Sequence, residues 1–286
     1  MEIDYTQLQT YITCPMKYYL KFVLGLKKRV LDERDIDLRF GQAVHKCLEL
    51  HYKNPGAGLL PTKPFNDFVD LEGEKHKTKA NGIELIRQYG EHYQKDLLEM
   101  EILGVELNDS ILIGDLRYLV KIDTVVRLRD NIYILEHKTC KKMAYNYFNQ
   151  FSPNMQVSGY SLYVKEKFGQ CSGCIVNVLQ SGWRERAYRG EPAGFYAKFQ
   201  REIVNRTKEQ LEDFKENIGL WKWKLQTARQ TSRWGKNEGA CHQYRGCLYS
   251  EICMTSQGIE LDEEIVDNFY KKVNPREYLE NSTEKR

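Results

Sequence analysis

Residues 118–138 read YLVKIDTVVRLRDNIYILEHK, two strand-like runs on either side of Asp130-Asn131. β-Branched and aromatic residues fill both runs, and Asp and Asn tolerate the positive φ of a tight turn, so the stretch predicts an antiparallel hairpin. With the turn centred on that pair, Arg129 faces Ile132, Asp123 faces Lys138 and Val125 faces Glu136, which leaves Glu136 diagonal to Asp123. Strand side chains alternate, so Glu136 and Lys138 share a side with Ile132 and Ile134. Three charged groups then project from an otherwise apolar surface, where packing alone gives no reason for them.

Chemistry gives one. Two carboxylates at that spacing are hard oxygen ligands suited to Mg²⁺ or Mn²⁺, and the backbone carbonyl of His137 offers a further oxygen. A cation held there lowers the pKa of water and draws charge from a phosphodiester, while the Lys138 ammonium can orient the attacking water or stabilise the negative transition state. A plain cross-strand ion pair between Asp123 and Lys138 at a sheet edge would use the same residues without any chemistry. Asp115, on the approach to the same strand, is the substitute acid if the register differs.

Outward from the hairpin the periodicity is helical on both sides. Leu8, Ile12, Tyr19, Phe22 and Val23 recur at helical spacings, interrupted by Cys14-Pro15, where Pro15 suits the first position of a second helix and Cys14 its N-cap. Phe40, Val44, Leu48 and Tyr52 mark an amphipathic helix over 40–53, prolines and glycines between 55 and 64 a loop, and residues 76–100 a long helix. Beyond the hairpin a helix is expected over 154–168, a short strand over 175–179, a second candidate strand over 184–188, and a long helix over 195–225. Residues 227–256 read as irregular, and 260–286, with eight acids against five bases, as a solvated helix and tail. No period of 20 to 50 residues repeats, which excludes solenoids and propellers. Helices before and after a central hairpin make the fold class α/β or α+β.

The chain has 286 residues, with 41% hydrophobic and 29% charged residues, which excludes disordered and fibrous classes. Its net charge of +3 leaves any electrostatic case for nucleic acid to the placement of charges. No apolar run reaches the roughly 18 to 20 residues that span a bilayer, and the N-terminus lacks a secretory layout, so a cytoplasmic protein that does not engage a membrane is expected. In such a reducing compartment, clustered cysteines among the eight present point to metal more than to disulfides.

Asp123 followed by Glu136-His137-Lys138 resembles the D…ExK core of the PD-(D/E)xK nuclease superfamily, in its RecB-like branch. Gly41-Gln42-Ala43-Val44-His45 looks like the upstream G…xH motif of that branch, and Gln156 with Tyr160 like its QxxxY motif, whose four-residue spacing places both side chains on one helix face. Order and spacing cover roughly residues 1–260. The resemblance implies a restriction-endonuclease-like fold with a mixed central sheet flanked by helices, hydrolysis of DNA with a divalent metal, His45, Asp123 and Glu136 as metal ligands, Lys138 as the catalytic lysine, and Gln156 and Tyr160 as positioning groups. Without it, His45 reads as a partly exposed helix histidine, and Gln156 and Tyr160 as residues that pack and hydrogen-bond across a helix.

Cys241, Cys247 and Cys253 stand six apart in a stretch that Gly239 and Gly246 allow to turn, and three thiols call for a fourth. Cys14 is the candidate, since a helix N-terminus stabilises a thiolate. One cysteine before the core and three after it resembles the iron-sulfur variants of these nucleases, among them the CRISPR adaptation nucleases and the AddB nuclease domain. That implies a 4Fe-4S cluster joining the N- and C-terminal regions. The even six-residue spacing departs from the CxxC element common in those relatives, and a Cys₄ Zn²⁺ site, with His242 as a possible substitute ligand, is the chemical alternative. Cys171 and Cys174 read as turn or buried residues, Cys47 and Cys140 as packing residues.

Between Glu216 and Glu238 no acid occurs, while Lys222, Lys224, Arg229, Arg233 and Lys236 alternate with Trp221, Trp223 and Trp234. Basic groups that neutralise phosphates beside indoles that stack on bases suit single-stranded nucleic acid, with Lys222, Lys224, Arg229, Arg233 and Trp234 as the binding set. Indoles packed in a core, with solvated lysines around them, are the other reading. The expected organisation is a nuclease domain with iron-sulfur ends over 1–258 and an acidic helix and tail over 259–286. The expected function is a Mg²⁺- or Mn²⁺-dependent exonuclease acting on single-stranded DNA ends, in phage recombination, repair or CRISPR adaptation, with a helicase or recombination protein as a possible partner. A catalytically silent DNA-end-binding or scaffold subunit is the alternative.

Overall fold

Runs of Val, Ile and Leu at alternating positions commit residues 100–140 to strands, and the computed structural model, described over residues 1–29, 33–55, 60–243 and 246–274, builds the fold around them. In chain order the elements are β1 (Glu2–Asp4), α1 (Tyr5–Thr13), α2 (Pro15–Tyr18), β2 (Leu26–Lys28), α3 (Glu33–Lys53), α4 (Lys79–His92), α5 (Asp96–Glu99), β3 (Met100–Ile113), β4 (Leu116–Leu128), β5 (Asn131–Cys140), α6 (Met155–Phe168), β6 (Gly173–Arg184), β7 (Gly194–Val204), α7 (Lys208–Thr231), α8 (Ser250–Thr255), α9 (Glu263–Phe269) and β8 (Tyr270–Lys272). They fall into two compact units, one of residues 32–109 and 120–211, the other of residues 1–31, 110–119 and 212–285, with β3 and β4 running through both.

In the larger unit the strand order is β4-β5-β6-β7, with β3 beside β4. The β4–β5 and β6–β7 pairs are antiparallel, and β5–β6 is parallel, with α6 in the crossover, so the sheet is mixed as expected. On one face, Phe40, Val44 and Leu48 of α3 and Leu85 and Ile86 of α4 pack on Val126, Leu135, Ile175 and Leu179, all buried. Each such side chain contributes about 1.5–3 kcal/mol by leaving water. The helix α6 is bounded as its sequence dictates: Asn154 Oδ1 accepts from Val157 N at its start, and Gly169, at φ 81°, supplies the left-handed residue after its end.

The hairpin register differs from the sequence expectation. Leu128 pairs with Asn131, so Arg129-Asp130 forms the turn, with Arg129 at φ 56°. The partners shift by two residues, which leaves every side chain on its expected face, so alternation could not have distinguished the registers. Contacts from the entry to β6 decide between them: Gln170 Nε2 donates to Asp130 O and Ser172 Oγ to Asn131 Oδ1. A second difference is β7, which occupies 194–204 where a helix was expected; only from Lys208 does α7 begin, and it runs past 225 to Thr231. Phe195, Phe199 and Ile203 recur every four residues, a spacing that satisfies a strand's two-residue period as well as a helix's 3.6. The strand expected over 175–179 extends over Gly173–Arg184, and the helix expected over 76–100 is divided into α4 and α5.

In the smaller unit β1 lies parallel to the start of β4, Ile3 opposite Tyr118, and Asp4 Oδ1 caps α1 by accepting from Gln7 N at 2.7 Å. Pro15 opens α2 with Cys14 at its N-cap, as expected. Backbone from the other end of the chain is bound to this corner: Met16 N donates to Gly235 O, and Asn237 Nδ2 to Thr13 O. A two-stranded antiparallel sheet of β2 and β8 closes the unit, with Tyr249 stacked on Tyr270. The helix expected in 260–286 is α9, and residues 275–286 lie outside the described residues.

Candidate active site

The β4–β5 ladder stops at Thr124↔Leu135, and the residues just beyond that last pair are Asp123 and Glu136. Continuing the register by one position would set these two carboxylates opposite each other, closer than the diagonal expected from sequence. Instead of a backbone carbonyl, Asp123 Oδ2 takes the N–H of His137 at 2.8 Å. The two strands thus part where the acids sit, with the Asp123 carboxylate bridging the gap.

His45 reaches this gap from α3. A Cβ built on Gly41, one turn earlier, would stand 3.4 Å from Thr139 Oγ1, so the helix passes close to β5 and carries His45 to Asp123. His45 Nδ1 lies 3.1 Å from Asp123 Oδ1, a contact made by a proton on Nδ1 that a cation shared by the two atoms would replace. From α6, Gln156 and Tyr160 share the face that covers the carboxylates. Lys138 Nζ donates to Glu136 Oε1 at 2.6 Å and to Gln156 Oε1 at 3.1 Å, and Gln156 Nε2 donates to Glu136 Oε1 and to Tyr160 OH, each at 3.1 Å. Arg206 fixes the start of that helix by donating to Ser158 Oγ, Phe151 O and Asn154 O. His45, Asp123, Glu136, Lys138, Gln156 and Tyr160 are therefore one constellation. The His137 ring lies on the opposite face of the sheet, stacked on Tyr52 with ring centroids 5.6 Å apart.

Burial raises the Glu136 carboxyl above its ordinary range, and the neighbouring Asp123 charge adds to this against the pull of Lys138. Burial would raise Asp123 too, but the charge and hydrogen bond of His45, with Lys138 beyond, outweigh it and hold that carboxylate low. Burial pushes His45 down, and Asp123 more than restores it. His137 is driven down to about 3 by burial and stays neutral. Two acids whose affinities for protons are forced apart in one buried space are a mark of functional sites.

Glu106 joins this cluster from β3. Its carboxylate and the donor atoms of His45 and Asp123 all lie within 4.8 Å of one another. Burial raises its pKa, with Asp123 adding to the rise, and its backbone is at φ 51°, a left-handed conformation costly for any residue with a Cβ. In sequence it is one acid in a strand of mixed polarity, and neither signal is visible there. A divalent cation fits the donor set: one imidazole with a lone pair to offer, three carboxylates whose mutual repulsion it would relieve, and Glu136 Oε2, buried with no hydrogen-bond partner. Asp115, the substitute acid, is not among these groups; it is 82% exposed at its side chain and ion-paired with Lys222.

The smaller unit gathers the four cysteines expected to act together. Burial raises Cys253 against the pull of Lys236, and Cys14, Cys247 and Cys241 add to the rise; Cys241 is raised by burial, then by Cys247 and Cys14. Cys247 N donates to Cys241 O at 2.8 Å, folding the loop back on itself. Cys47 and Cys174 are buried, and Cys171 Sγ turns back onto Gly173 O.

The basic stretch is more structural than expected. Trp234 is buried at 8% exposure and stacked on Tyr19 at 5.1 Å and Tyr18 at 6.0 Å, so its faces are taken and it does not await a base. Arg229 donates to Tyr18 OH, Lys222 to Asp115, and Lys224 sits 4.4 Å over Trp221. Arg233 is exposed, and so is Trp223, at 64%.

A mixed sheet that parts to hold an imidazole, carboxylates and an ammonium defines a restriction-endonuclease-like nuclease core. The PD-(D/E)XK nuclease superfamily matches residues 3–254, nearly the whole chain, and the protein belongs to it. Among solved structures the chain is similar to a candidate exonuclease from Eubacterium rectale, with 11% identity, a TM-score of 0.52, and coverage of 85% of this chain and 88% of that one. At that identity the likeness bears on the fold. No curated protein matches.

Proposed function

We propose that this nuclease is a Mg²⁺- or Mn²⁺-dependent deoxyribonuclease that hydrolyses phosphodiester bonds from free single-stranded ends. The observation that carries the reading is the convergence of His45, Asp123, Glu136 and Lys138 in one buried gap of the sheet, joined by Glu106. His45, Glu106, Asp123 and Glu136 would hold the cation, with the His137 carbonyl as a further oxygen. When bound, the cation supplies Lewis-acid stabilisation of the scissile phosphate and eases deprotonation of water. The chain's own contribution is orientation. Lys138, fixed between Glu136 and Gln156, presents an N–H to the attacking water or to the charge that develops on the phosphate. Tyr160 holds Gln156, and Gln156 holds Lys138.

Cys14, Cys241, Cys247 and Cys253 are assigned to a 4Fe-4S cluster. Their shared place in the smaller unit, one cysteine before the core and three after it, supports one inorganic group held by all four. Lys224, Arg229 and Arg233 are the candidates for phosphate contact. A cytoplasmic setting is part of the proposal; among the described residues no helix is long and apolar enough to cross a membrane.

The test is cleavage of end-labelled linear and circular single strands after anaerobic purification. Wild-type protein with Mn²⁺ is expected to shorten the linear strand and spare the circle, and Lys138→Ala to lose activity by about a thousandfold with its fold and colour retained. Equal rates for wild type and Lys138→Ala would refute the assignment, and cutting of the circle would replace end-trimming by internal cleavage.

A further inference from the structure

On the face of the sheet away from Glu136 and Lys138, three polar residues stand in one row across three strands. His137 of β5 is the register partner of Asn177 of β6, which is the partner of Arg201 of β7. Their hydrogen bonds admit one arrangement of protons. Asp96 accepts Arg201 through both oxygens, Nη1 to Oδ1 at 2.9 Å and Nη2 to Oδ2 at 2.5 Å. Arg201 Nε then donates to Asn177 Oδ1 at 3.1 Å. A guanidinium cannot accept, so the Asn177 amide has its oxygen toward Arg201 and its NH₂ toward His137 Nδ1, at 2.7 Å, and Tyr89 OH, at 3.0 Å. His137 Nδ1 must therefore be the acceptor, and the ring proton sits on Nε2. Tyr52 donates to Asp96 Oδ2 and stacks on the His137 ring, and Tyr89 OH donates to Tyr52 OH.

The row matters because of where it lies. Past Thr124↔Leu135 the strand β5 has, among the described residues, no ladder partner on its β4 side, and on that face of the sheet this row ties it to β6 and β7. The peptide N–H that β5 presents at that point is the one that fixes Asp123 Oδ2 and leaves Oδ1 toward His45. We propose that Arg201, acting through Asn177, is a positioning residue for the metal-binding carboxylate: it sets the tautomer and seat of His137, and with them the N–H that orients Asp123. The inference rests on the divalent-metal nuclease reading and extends it to residues that touch neither metal nor substrate.

Asn177→Asp tests it with almost no change in volume. A carboxylate only accepts, so the His137 proton is expected to move to Nδ1, read directly from the ¹⁵N shifts of the ring. Mn²⁺ affinity measured by calorimetry without DNA is expected to fall about tenfold, with kcat reduced and KM for the DNA strand unchanged. Arg201→Lys, which keeps a charge but cannot bridge Asp96 and Asn177 as a planar fork, is expected to show a smaller loss of the same kind. A folded Asn177→Asp protein with wild-type Mn²⁺ affinity, or with its proton still on Nε2, would overturn the proposal. Wild-type protein that binds no Mn²⁺ at all would instead remove the metal reading beneath it.

Discussion

Asp123 illustrates how one side chain can replace a piece of secondary structure. Its Oδ2 accepts the N–H that a strand neighbour would have taken, and its Oδ1 faces His45, so the carboxylate closes the sheet and opens the site at once. Opposite it, Glu136 shows the cost: one oxygen takes Lys138 and Gln156, while the other is buried without a partner. Such an atom costs about 1–3 kcal/mol or more when charged, and a cation there offsets it. Glu106 belongs to the same balance, since its left-handed backbone is a further cost of order 1 kcal/mol borne at the site. Glu106→Gln keeps the shape and removes the charge, and is expected to weaken Mn²⁺ binding about tenfold with little change in thermal stability. Undiminished Mn²⁺ affinity in that variant would take Glu106 out of the ligand set. The D…ExK residues were legible in sequence because charge on an apolar strand face has no packing reason. Glu106 was not, because it is recognised by a backbone angle and by distances to residues far along the chain.

At the scale of elements, the helices that carry His45, Gln156 and Tyr160 follow from periodicity, and α6 is bounded by Asn154 and Gly169 as local rules dictate. β7 does not follow, because apolar residues four apart satisfy two periods and only pairing with β6 decides between them. The hairpin register escaped for a related reason: a shift of two residues changes partners without changing faces, and the deciding contacts come from Gln170 and Ser172. The segment leading into α4 is held by Glu74, which accepts from Lys141 Nζ at 2.6 Å and from the backbone of His76 and Lys77. Burial opposes ionisation there, but these donors bring the Glu74 pKa down to about 2. A carboxyl depressed on folding stabilises the protein above its unfolded pKa of about 4.3, and that contribution disappears as the pH falls through about 2. Glu74→Gln is therefore expected to lose about 2 kcal/mol at pH 7, after allowance for solvent screening, and to converge on wild type near pH 2 in denaturant titrations. A gap that stayed constant with pH would show the loss to be steric.

For the whole molecule, a net charge of +3 predicted nothing about nucleic acid, and placement decides. The stretch read as a stacking platform proves partly internal, with Trp234 between two tyrosines, because a basic and aromatic composition cannot say which indoles face inward. Cys14, Cys241, Cys247 and Cys253 are grouped in the sequence because four thiols bracketing a core have few other reasons to be there, and all four fall in the smaller unit. Cys241→Ala is expected to strip iron and sulfide and to make the smaller unit soluble only in part, measured by metal content and by the yield of folded protein. Full iron content in that variant would exclude Cys241 as a ligand.

The central claim is that His45, Asp123 and Glu136 enclose one divalent cation, and diffraction from Mn²⁺-soaked crystals at the manganese edge tests it most directly. A single anomalous peak within bonding distance of the His45 imidazole and of oxygens of Asp123 and Glu136, absent in crystals of Asp123→Asn, is expected. A cleaving enzyme whose manganese lies elsewhere, or survives that substitution, would contradict it.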